Sequence, residues 1–295
     1  MKKILFFLEY CFFRFSAFFI ALIPLRVSYR IADALGVFAV RVLGIRRKTM
    51  LNNLRLAFRN EKTEAELNRI AEQSIQNLIK LVFEFAATSR AVKYPDQYFK
   101  ATNPEFVVEM MRRGKGLVAI VSHFGNWEWL AMPVRPFGLF SHAVSRPLKN
   151  PFLNSYVRKL REKANLQNIE KSGAVRESLK VIKKNEMVAL LIDQHESRGA
   201  VWVDFFGRKA STSTLPAMLA LKYESPTIPA FFYRNENGPS EIFYGPEFKL
   251  IKTGNLQEDL LANTQQYVAK IEEEIRRRPG DWLWAHRRWR TPPKD

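Results

Sequence analysis

The 295-residue chain has a single cysteine, Cys11, and only four histidines. One cysteine excludes an intramolecular disulfide framework and any metal site that needs several thiolate ligands. Acidic residues are also scarce, since 29 Asp and Glu stand against 47 Lys and Arg and leave a formal net charge of +18. This excess of positive charge indicates a polyanionic partner: nucleic acid, an anionic membrane surface or a phosphorylated substrate.

The sequence also lacks internal repeats, low-complexity linkers and a G-x-S-x-G segment. Without that segment there is no nucleophile elbow, which argues against an α/β-hydrolase lipase. The hydrophobic share of 47% and the charged share of 26% exclude a disordered chain. The length predicts one large domain or two small ones, with enough apolar residues to form a core.

Residues 4–25 form an apolar run with seven phenylalanines and only two charged residues, Glu9 and Arg14. As a helix this run measures about 33 Å, close to the thickness of a hydrocarbon core. The two charges lie about 140° apart around such a helix and pair poorly, so a spanning helix and an interfacial helix both remain open. A buried core helix and a secretory signal are further alternatives, although no small-x-small cleavage site follows. We expect residues 1–27 to attach the protein to a membrane, with basic residues after the run favouring a cytoplasmic body.

The remainder of the chain reads as one domain, residues 28–295, with a helical part at 28–95 and an α/β part at 96–295. Short β-branched apolar runs predict buried strands, and apolar residues at helical spacing predict helices. The predicted strands cover 116–123, 142–146, 186–193, 200–207 and 226–234, and the predicted helices cover 28–44, 46–58, 63–90, 150–164, 173–184, 212–223 and 255–278. Strands separated by helices indicate an α/β fold with a mixed, mostly parallel central sheet covered by helices.

His123 is the leading candidate for a functional residue, because it follows a predicted strand at the position where catalytic groups gather in α/β sheets. Glu128 comes five residues later, so the two side chains can meet only if His123 lies in a turn and Glu128 in the first turn of a helix. A carboxylate that accepts a hydrogen bond from one imidazole nitrogen leaves the other nitrogen free to act as a base. A purely structural histidine is the alternative.

Gly125 and Asn126 supply turn-forming chemistry between these two residues. The predicted helix start would offer free backbone N–H groups to a developing oxyanion, which makes both residues candidate substrate ligands. The helix macrodipole would also favour the ionised form of Glu128. The sequence therefore predicts a base and an oxyanion site within residues 123–128.

The segment at 123–128 resembles the H-x4-D/E box of glycerolipid acyltransferases, with Glu128 where the broader box has Asp. Three further blocks follow in order: SRPLKNPFLNSYVRKLR (145–161), LIDQHESRGAVWVDFFGRKASTSTLPAMLALK (191–222) and PGDWLWAHRRWR (279–290). Together with the apolar N-terminus they resemble the lipid A biosynthesis acyltransferases, the late lauroyl and myristoyl transferase group. The resemblance implies a glycerolipid-acyltransferase-like fold and an acyltransferase domain at 28–295.

The resemblance also implies the reaction. A fatty acyl chain would pass from an acyl carrier protein thioester, or from acyl-CoA, to a hydroxyl of a phosphorylated lipid A precursor at the cytoplasmic face of a bacterial inner membrane. His123 would be the general base, oriented by Glu128, with no enzyme nucleophile and no cofactor. Two alternatives stay open: an acyltransferase for another glycolipid or an aminolipid, and a non-enzymatic basic protein that binds membranes or nucleic acid. The apolar N-terminus favours lipid over nucleic acid.

By the same resemblance, Arg146 and Arg161 are candidates for binding a phosphate or polarising the thioester carbonyl, because a guanidinium group suits both. Asp193 ends the predicted strand at 186–193. Its carboxylate could hold the acceptor sugar or support His123, and a structural turn residue is the alternative.

Two other features concern metal binding and the C-terminal tail. Asp193, His195 and Glu196 lie close together in sequence, but the four histidines are too scattered for a metal site, and we expect none. The tail at 279–290 mixes tryptophan with arginine, which is typical of a membrane interface.

Overall fold

The computed structural model describes residues 2–290 of the chain. Met1 begins the predicted segment 1–27, and residues 291–295 end the predicted segment 28–295. Both lie outside the described residues. The described part forms ten α-helices, four short 3-10 helices and nine strands. The α-helices are α1 (Lys2–Leu22), α2 (Leu25–Arg41), α3 (Arg47–Phe58), α4 (Glu64–Ala86), α5 (Thr88–Lys93), α6 (Pro104–Arg112), α7 (Pro151–Lys163), α8 (Ala174–Lys183), α9 (Leu215–Tyr223) and α10 (Leu256–Arg277). The strands are β1 (Phe99–Thr102), β2 (Leu117–Val121), β3 (Ser141–Ser145), β4 (Leu166–Glu170), β5 (Met187–Leu191), β6 (Ala200–Phe205), β7 (Arg208–Ser213), β8 (Thr227–Tyr233) and β9 (Ser240–Tyr244).

Seven of the strands form one sheet in the order β1-β9-β8-β2-β5-β3-β4. Neighbouring strands in it are parallel, except β8 and β9, which are antiparallel. The other two described strands, β6 and β7, form an antiparallel hairpin. The predicted mixed, mostly parallel sheet with flanking helices is therefore confirmed.

The sheet brings distant parts of the sequence to one edge. Strands β2, β5 and β3 are parallel neighbours, so their carboxyl ends lie side by side. His123 follows β2, Asp193 follows β5, and Arg146 follows β3. Three of the candidate residues thus come from segments that are far apart in the chain.

Three helices begin at a side-chain cap. Thr63 and Glu66 form a capping box at the start of α4, each side chain accepting the backbone N–H of the other residue. Asn150 and Asn255 accept first-turn N–H groups at the starts of α7 and α10. Each cap contributes about 1 kcal/mol to helix stability. The Asn150 cap also fixes the start of the helix that carries Arg161.

The N-terminal run forms a single helix, α1, which is long and apolar enough by length and composition to cross a membrane. The next helix, α2, packs against α4 through small residues, among them Ala32, Gly36 and Ala39, which are buried. Gly36 lets the two backbones approach closely, because a Cβ atom there would lie 2.9 Å from the backbone of Gln76.

A buried ion pair joins helix α4 to the residue after β8. Arg234 donates to both carboxylate oxygens of Glu84, at 2.7 and 2.8 Å, and the hydroxyl of Tyr29 donates to the same carboxylate at 2.5 Å. The side chains of Arg234 and Glu84 are 4% and 0% exposed. The pair therefore ties the N-terminal helices to the sheet inside a common core.

Replacing Glu84 with glutamine is expected to lower the free energy of unfolding by about 3–5 kcal/mol, because Arg234 would stay buried without its counter-charge. Chemical denaturation followed by circular dichroism measures the loss. Glu64→Gln is the matched control, since the Arg55–Glu64 pair is 54% and 60% exposed. That change should cost less than about 1 kcal/mol. Equal losses in the two variants would contradict the assigned role of burial.

Candidate active site

The imidazole of His123 is hydrogen-bonded to the carboxylate of Asp193. The distance between His123 Nδ1 and Asp193 Oδ1 is 2.9 Å, and the backbone N–H of His123 donates to Oδ2 of the same carboxylate at 2.8 Å. These two contacts hold both the ring and its backbone against the neighbouring strand end. Asp193 therefore contacts His123, and its role as a support of that residue stays a prediction.

Asp193 is buried and receives a third hydrogen bond, from the indole N–H of Trp282 at 2.7 Å. Burial alone would raise the pKa of the carboxyl. The electrostatic interaction with the imidazole of His123 and the hydrogen bonds from His123 and Trp282 outweigh burial, so the pKa of Asp193 lies below its usual value. An ionised carboxylate is thus held next to the ring.

The second ring nitrogen of His123 faces Gln194. With the Nδ1 proton directed at Asp193, Nε2 carries the lone pair. The side-chain amide nitrogen of Gln194 lies 3.2 Å from Nε2, where it can donate a hydrogen bond. The ring of Trp127 packs edge-on against the imidazole, with 4.9 Å between ring centroids. The basic nitrogen is therefore Nε2, the one that does not face Asp193. The side chain of His123 is 19% exposed.

Glu128 makes no hydrogen bond or ion pair with His123, so the predicted pairing of these two residues is wrong in its geometry. Its two carboxylate oxygens accept hydrogen bonds from Arg161 Nε and Nη2, at 2.8 and 2.7 Å. A third guanidinium nitrogen of Arg161 donates to Ser145 Oγ at 3.1 Å. Burial works to lower the pKa of Arg161, but the hydrogen bonds and charge of Glu128 raise it overall. The H-x4-E spacing thus brings two different pairs to one site, the hydrogen-bonded His123–Asp193 pair and the Glu128–Arg161 ion pair.

The reason for this correction lies in the backbone, because the helix expected after His123 does not form. Phe124 forms an isolated β-bridge with Trp282, and residues 127–134 form a series of turns. Asn126 organises them: its side-chain oxygen accepts the N–H of Glu128 at 3.1 Å. The N–H of Gly125 donates to the carbonyl of Asp281 at 3.0 Å. These amides are engaged within the protein, and neither Gly125 nor Asn126 lines the cavity described below.

Replacing Gly125 with alanine is expected to disrupt this turn. Gly125 has a φ of +59°, and a Cβ atom there would lie 2.1 Å from the carbonyl oxygen of Phe232. Gly138→Ala is the matched control, because Gly138 has a φ of +71° with no atom within 4 Å of the added Cβ. The control should lose about 1–2 kcal/mol of stability from its left-handed backbone alone. Thermal unfolding should show a larger loss for Gly125→Ala, and equal losses would contradict the close approach.

A cavity of about 1410 Å³ opens beside His123. Its inner wall is formed by one face of the sheet, and many of the residues there are small. Alanines from four strands and one turn line it: Ala119, Ala131, Ala143, Ala189 and Ala230. Their short side chains leave an apolar space next to the histidine that is larger than a typical small-molecule pocket, about 300–1,000 Å³.

The mouth of the same cavity is cationic. Besides Arg161, five arginines line the cavity, and all five are exposed: Arg46, Arg146, Arg198, Arg287 and Arg290. Within residues 2–290, none of these side chains has an ion-pair or side-chain hydrogen-bond partner. Arg146 therefore lies where a phosphate could be bound, whereas Arg161 is already paired. A guanidinium group without a partner is suited to bind two oxygens of one phosphate through two parallel hydrogen bonds.

Several residues of the site were not identified from the sequence. Besides Gln194 and Trp282, His286 lines the cavity, and its Nε2 accepts the backbone N–H of His195 at 3.2 Å. Burial lowers the pKa of His286 to about 4, although Asp193 acts in the opposite direction. This ring is neutral at neutral pH and carries its proton on Nδ1. The only sequence signal for Trp282 and His286 was the tail at 279–290, because indole and imidazole groups need polar partners when they are buried.

The sequence cluster around Asp193 is divided in the structure. Asp193 binds His123, while Glu196 pairs with Lys171. Among residues 2–290, no group of three or more His, Cys, Asp or Glu side chains is arranged to hold a metal ion.

Comparison with known proteins gives the class of this protein. A sequence model described as bacterial lipid A biosynthesis acyltransferase matches residues 3–291. A lipid A biosynthesis lauroyltransferase from Escherichia coli strain K12 is 26% identical over 286 residues, which cover 92% of this chain and 88% of that enzyme. A lipid A biosynthesis palmitoleoyltransferase from the same strain is 25% identical over 281 residues, covering 92% and 87%. A phosphatidylinositol mannoside acyltransferase from Mycolicibacterium smegmatis is 26% identical over 184 residues, covering 60% and 57%.

These matches, together with the α/β fold, define an acyltransferase. Because the family model covers nearly the whole length, the chain belongs to the bacterial lipid A biosynthesis acyltransferase family. The resemblance inferred from the four sequence blocks is therefore confirmed. The alternative of a non-enzymatic basic protein is wrong.

Proposed function

We propose that this enzyme transfers a fatty acyl chain from an acyl carrier protein thioester to a hydroxyl of a phosphorylated glycolipid, a lipid A precursor, at the bacterial inner membrane. One observation carries the proposal. The His123–Asp193 pair borders a single cavity that has an apolar inner wall and a cationic mouth. Such a cavity can accommodate an acyl chain against its inner wall and an anionic headgroup at its mouth, with His123 between them.

His123 acts as the general base in this proposal. Its Nε2 takes the proton of the acceptor hydroxyl as the oxygen attacks the thioester carbonyl. The tetrahedral intermediate then expels the thiolate, which recovers the proton from the imidazolium, so that an ester and a free thiol result. Asp193 keeps the Nδ1 proton in place and stabilises the imidazolium that forms. The Gln194 amide occupies the position of the hydroxyl at Nε2 until the acceptor binds.

The Glu128–Arg161 pair supplies a fixed positive group at the cavity wall. Two hydrogen bonds to Glu128 and one to Ser145 orient the guanidinium and leave two of its five N–H groups uncommitted. A preorganised donor of this kind stabilises the charge that develops on the carbonyl oxygen. Glu128 therefore acts on Arg161, as a positioning residue, and Asp193 acts on His123.

The charge of the cavity mouth selects the acceptor. Arg46, Arg146 and Arg198 line it together with two arginines of the tail, and phosphate groups are strong bidentate partners for such side chains. The same positive field attracts an acidic carrier protein. The apolar helix α1 holds the enzyme at the membrane where its lipid substrate is found.

One relative indicates a second candidate class of acceptor. The matched relatives include a phosphatidylinositol mannoside acyltransferase, whose name gives a different glycolipid acceptor. The unpaired arginines favour an acceptor whose reactive sugar itself carries phosphate over one whose sugar is neutral.

The test is an acyl-transfer assay with the purified full-length protein. The donors are fatty acyl-carrier protein and fatty acyl-CoA of the same chain length. The acceptors are a bisphosphorylated lipid A precursor, its dephosphorylated form and a phosphatidylinositol mannoside. We expect product by mass spectrometry with the carrier-protein donor and the phosphorylated precursor, and much less after dephosphorylation. Equal rates with and without phosphate would contradict the assigned role of the arginines, and activity only on the mannoside would establish the alternative.

A further inference from the structure

The outward face of α2 is a continuous apolar stripe. Val27, Ile31, Leu35, Phe38 and Val42 recur at helical spacing and are 38–68% exposed. The opposite face of α2 packs against α4, so the helix is apolar on both sides. A surface helix in water normally carries polar residues on its outer face. An exposed apolar stripe of this length indicates a partner.

Helix α1 presents a second apolar face. Leu5, Phe12 and Phe19 lie seven residues apart, hence on one side of the helix, and are 64%, 74% and 49% exposed. The other side of α1 packs along the body of the protein, against α4 and α7.

The contacts between α1 and the body extend along most of the helix. Near its start, Asn150 donates to the carbonyl of Phe6 at 2.8 Å. Near its end, Arg90 donates to the carbonyl of Ala21 at 2.7 Å. These positions are about 22 Å apart along a helix axis. The helix therefore lies alongside the body instead of projecting from it.

The two charges of α1 are also used by the body. Glu9 accepts a hydrogen bond from Asn150 at 2.9 Å. The guanidinium of Arg14 lies over the ring of Tyr156, at 4.7 Å from its centroid. Both groups are thus turned towards α7, and the pairing problem that they posed in a spanning helix does not arise.

The apolar stripe leads directly to the cavity. Leu43 and Ile45, which follow α2, are 58% and 44% exposed. The next residue, Arg46, lines the mouth of the cavity. Arg26, Arg30 and further basic residues accompany the stripe on the exposed surface.

We propose that α1 and the outer face of α2 form one bilayer-binding surface that lies in the plane of an anionic membrane and does not cross it. Apolar side chains enter the acyl-chain region, and the accompanying arginines bind anionic headgroups. A crossing α1 would draw α7 into the hydrocarbon, and α7 exposes Arg158, Lys159 and Lys163 next to it. This inference refines the membrane attachment in the proposed function, and it gives lipid substrates a route past Arg46 into the cavity.

The depth of three positions on α1 tests the orientation. In a Cys11→Ser background, the single variants Leu5→Cys, Phe12→Cys and Phe19→Cys are labelled with a nitroxide. They are bound to vesicles of phosphatidylethanolamine and phosphatidylglycerol, and label depth is measured by collision with oxygen and a nickel chelate. An in-plane helix places all three labels at the same shallow depth. A deep label at position 12 between two shallow ones would overturn the proposal.

The contribution of α2 is tested by Leu35→Glu, with Leu256→Glu as the matched control. Leu35 and Leu256 are 45% and 60% exposed, and Leu256 begins α10, on a different helix. We expect Leu35→Glu to weaken binding to the same vesicles by at least about tenfold and the control to leave it unchanged. Unchanged vesicle binding in Leu35→Glu would overturn the role of α2. The alternative is that a second copy of the chain covers this face. Sedimentation velocity would show this if the unchanged enzyme is a dimer and Leu35→Glu is a monomer that still binds vesicles.

Activity of the same variant separates this inference from the proposed function. With substrates dispersed in detergent micelles, Leu35→Glu should retain the acyl transfer rate of the unchanged enzyme. With the acceptor embedded in vesicles, its rate should fall together with vesicle binding. A failure of acyl transfer in the unchanged enzyme would contradict the proposed function alone, because the vesicle-binding results do not depend on catalysis.

Discussion

Replacing His123 with alanine should reduce the rate of acyl transfer by about 10²- to 10⁴-fold, the usual contribution of a general base. Among the described residues, the ring is the only imidazole that is hydrogen-bonded to Asp193, through the 2.9 Å bond to Nδ1. Its loss removes the acceptor for the hydroxyl proton and leaves the cavity wall otherwise intact. The assay is the carrier-protein-dependent transfer described above, with single-turnover rates measured at saturating acceptor.

His142→Ala is the matched control for this substitution. The side chain of His142 is 16% exposed, against 19% for His123, and it lies on β3 beside Glu186. Both variants should fold and bind vesicles to the same extent. Activity should fall only in His123→Ala, and an equal fall in both would show that a general loss of structure is being measured. Full activity in His123→Ala would remove the proposed mechanism.

The central part of the fold could be predicted because its strands are buried on both faces. Strand β2, for example, is a continuous run of buried apolar residues, and the sequence interpretation placed it within two residues of its observed bounds. The edge strands β1 and β4 were missed. Their sequences, FKAT and LQNIE, are half polar because they form the two edges of the sheet and are only partly covered. Short polar strands have no periodicity that separates them from loops.

The position of the candidate site could be predicted, but the hydrogen-bond partners of its side chains could not. A histidine at the end of a buried strand was sufficient to indicate the carboxyl edge of the sheet. Its carboxylate partner is Asp193, 70 residues away in sequence, because β5 lies next to β2. The order of strands in a sheet is a property of the whole fold, and no local pattern reports it. The nearer carboxylate, Glu128, is taken by Arg161 from α7.

The tryptophan-rich tail shows the limits of composition in another way. Its mixture of indole and guanidinium groups is typical of a membrane interface, yet Trp282, Trp284 and Arg288 are buried. Each has polar partners inside the protein: Trp282 donates to Asp193, and Arg288 donates to the carbonyl of Ser211 at 2.6 Å. The tail therefore supports the site from within. Composition describes which groups need partners, and the fold decides whether water, lipid or protein supplies them.

Replacing Asp193 with asparagine is expected to be nearly as damaging as replacing His123. An asparagine amide can turn its N–H₂ towards Nδ1, which moves the imidazole proton to Nε2 and removes the lone pair that accepts the hydroxyl proton. Loss of the carboxylate in a comparable histidine–aspartate pair costs about 10⁴-fold in rate. We expect a fall of at least about 10²-fold in kcat. Long-range ¹H–¹⁵N NMR spectra of the histidine rings should show His123 change from the Nδ1–H to the Nε2–H form.

Glu128→Gln separates the two carboxylates that could have held His123. The change weakens the hold on Arg161, whose Nε and Nη2 donate to Glu128, while the His123–Asp193 bond is untouched. Activity should fall, because the donor at the cavity wall loses its orientation, but the NMR signature of His123 should stay that of the unchanged enzyme. If Glu128→Gln shifted the His123 tautomer and Asp193→Asn left it alone, then Glu128 would orient the base during catalysis, as the H-x4-E spacing first indicated. The tautomer therefore distinguishes a group that orients the base from one that orients the arginine, which a fall in rate alone cannot do.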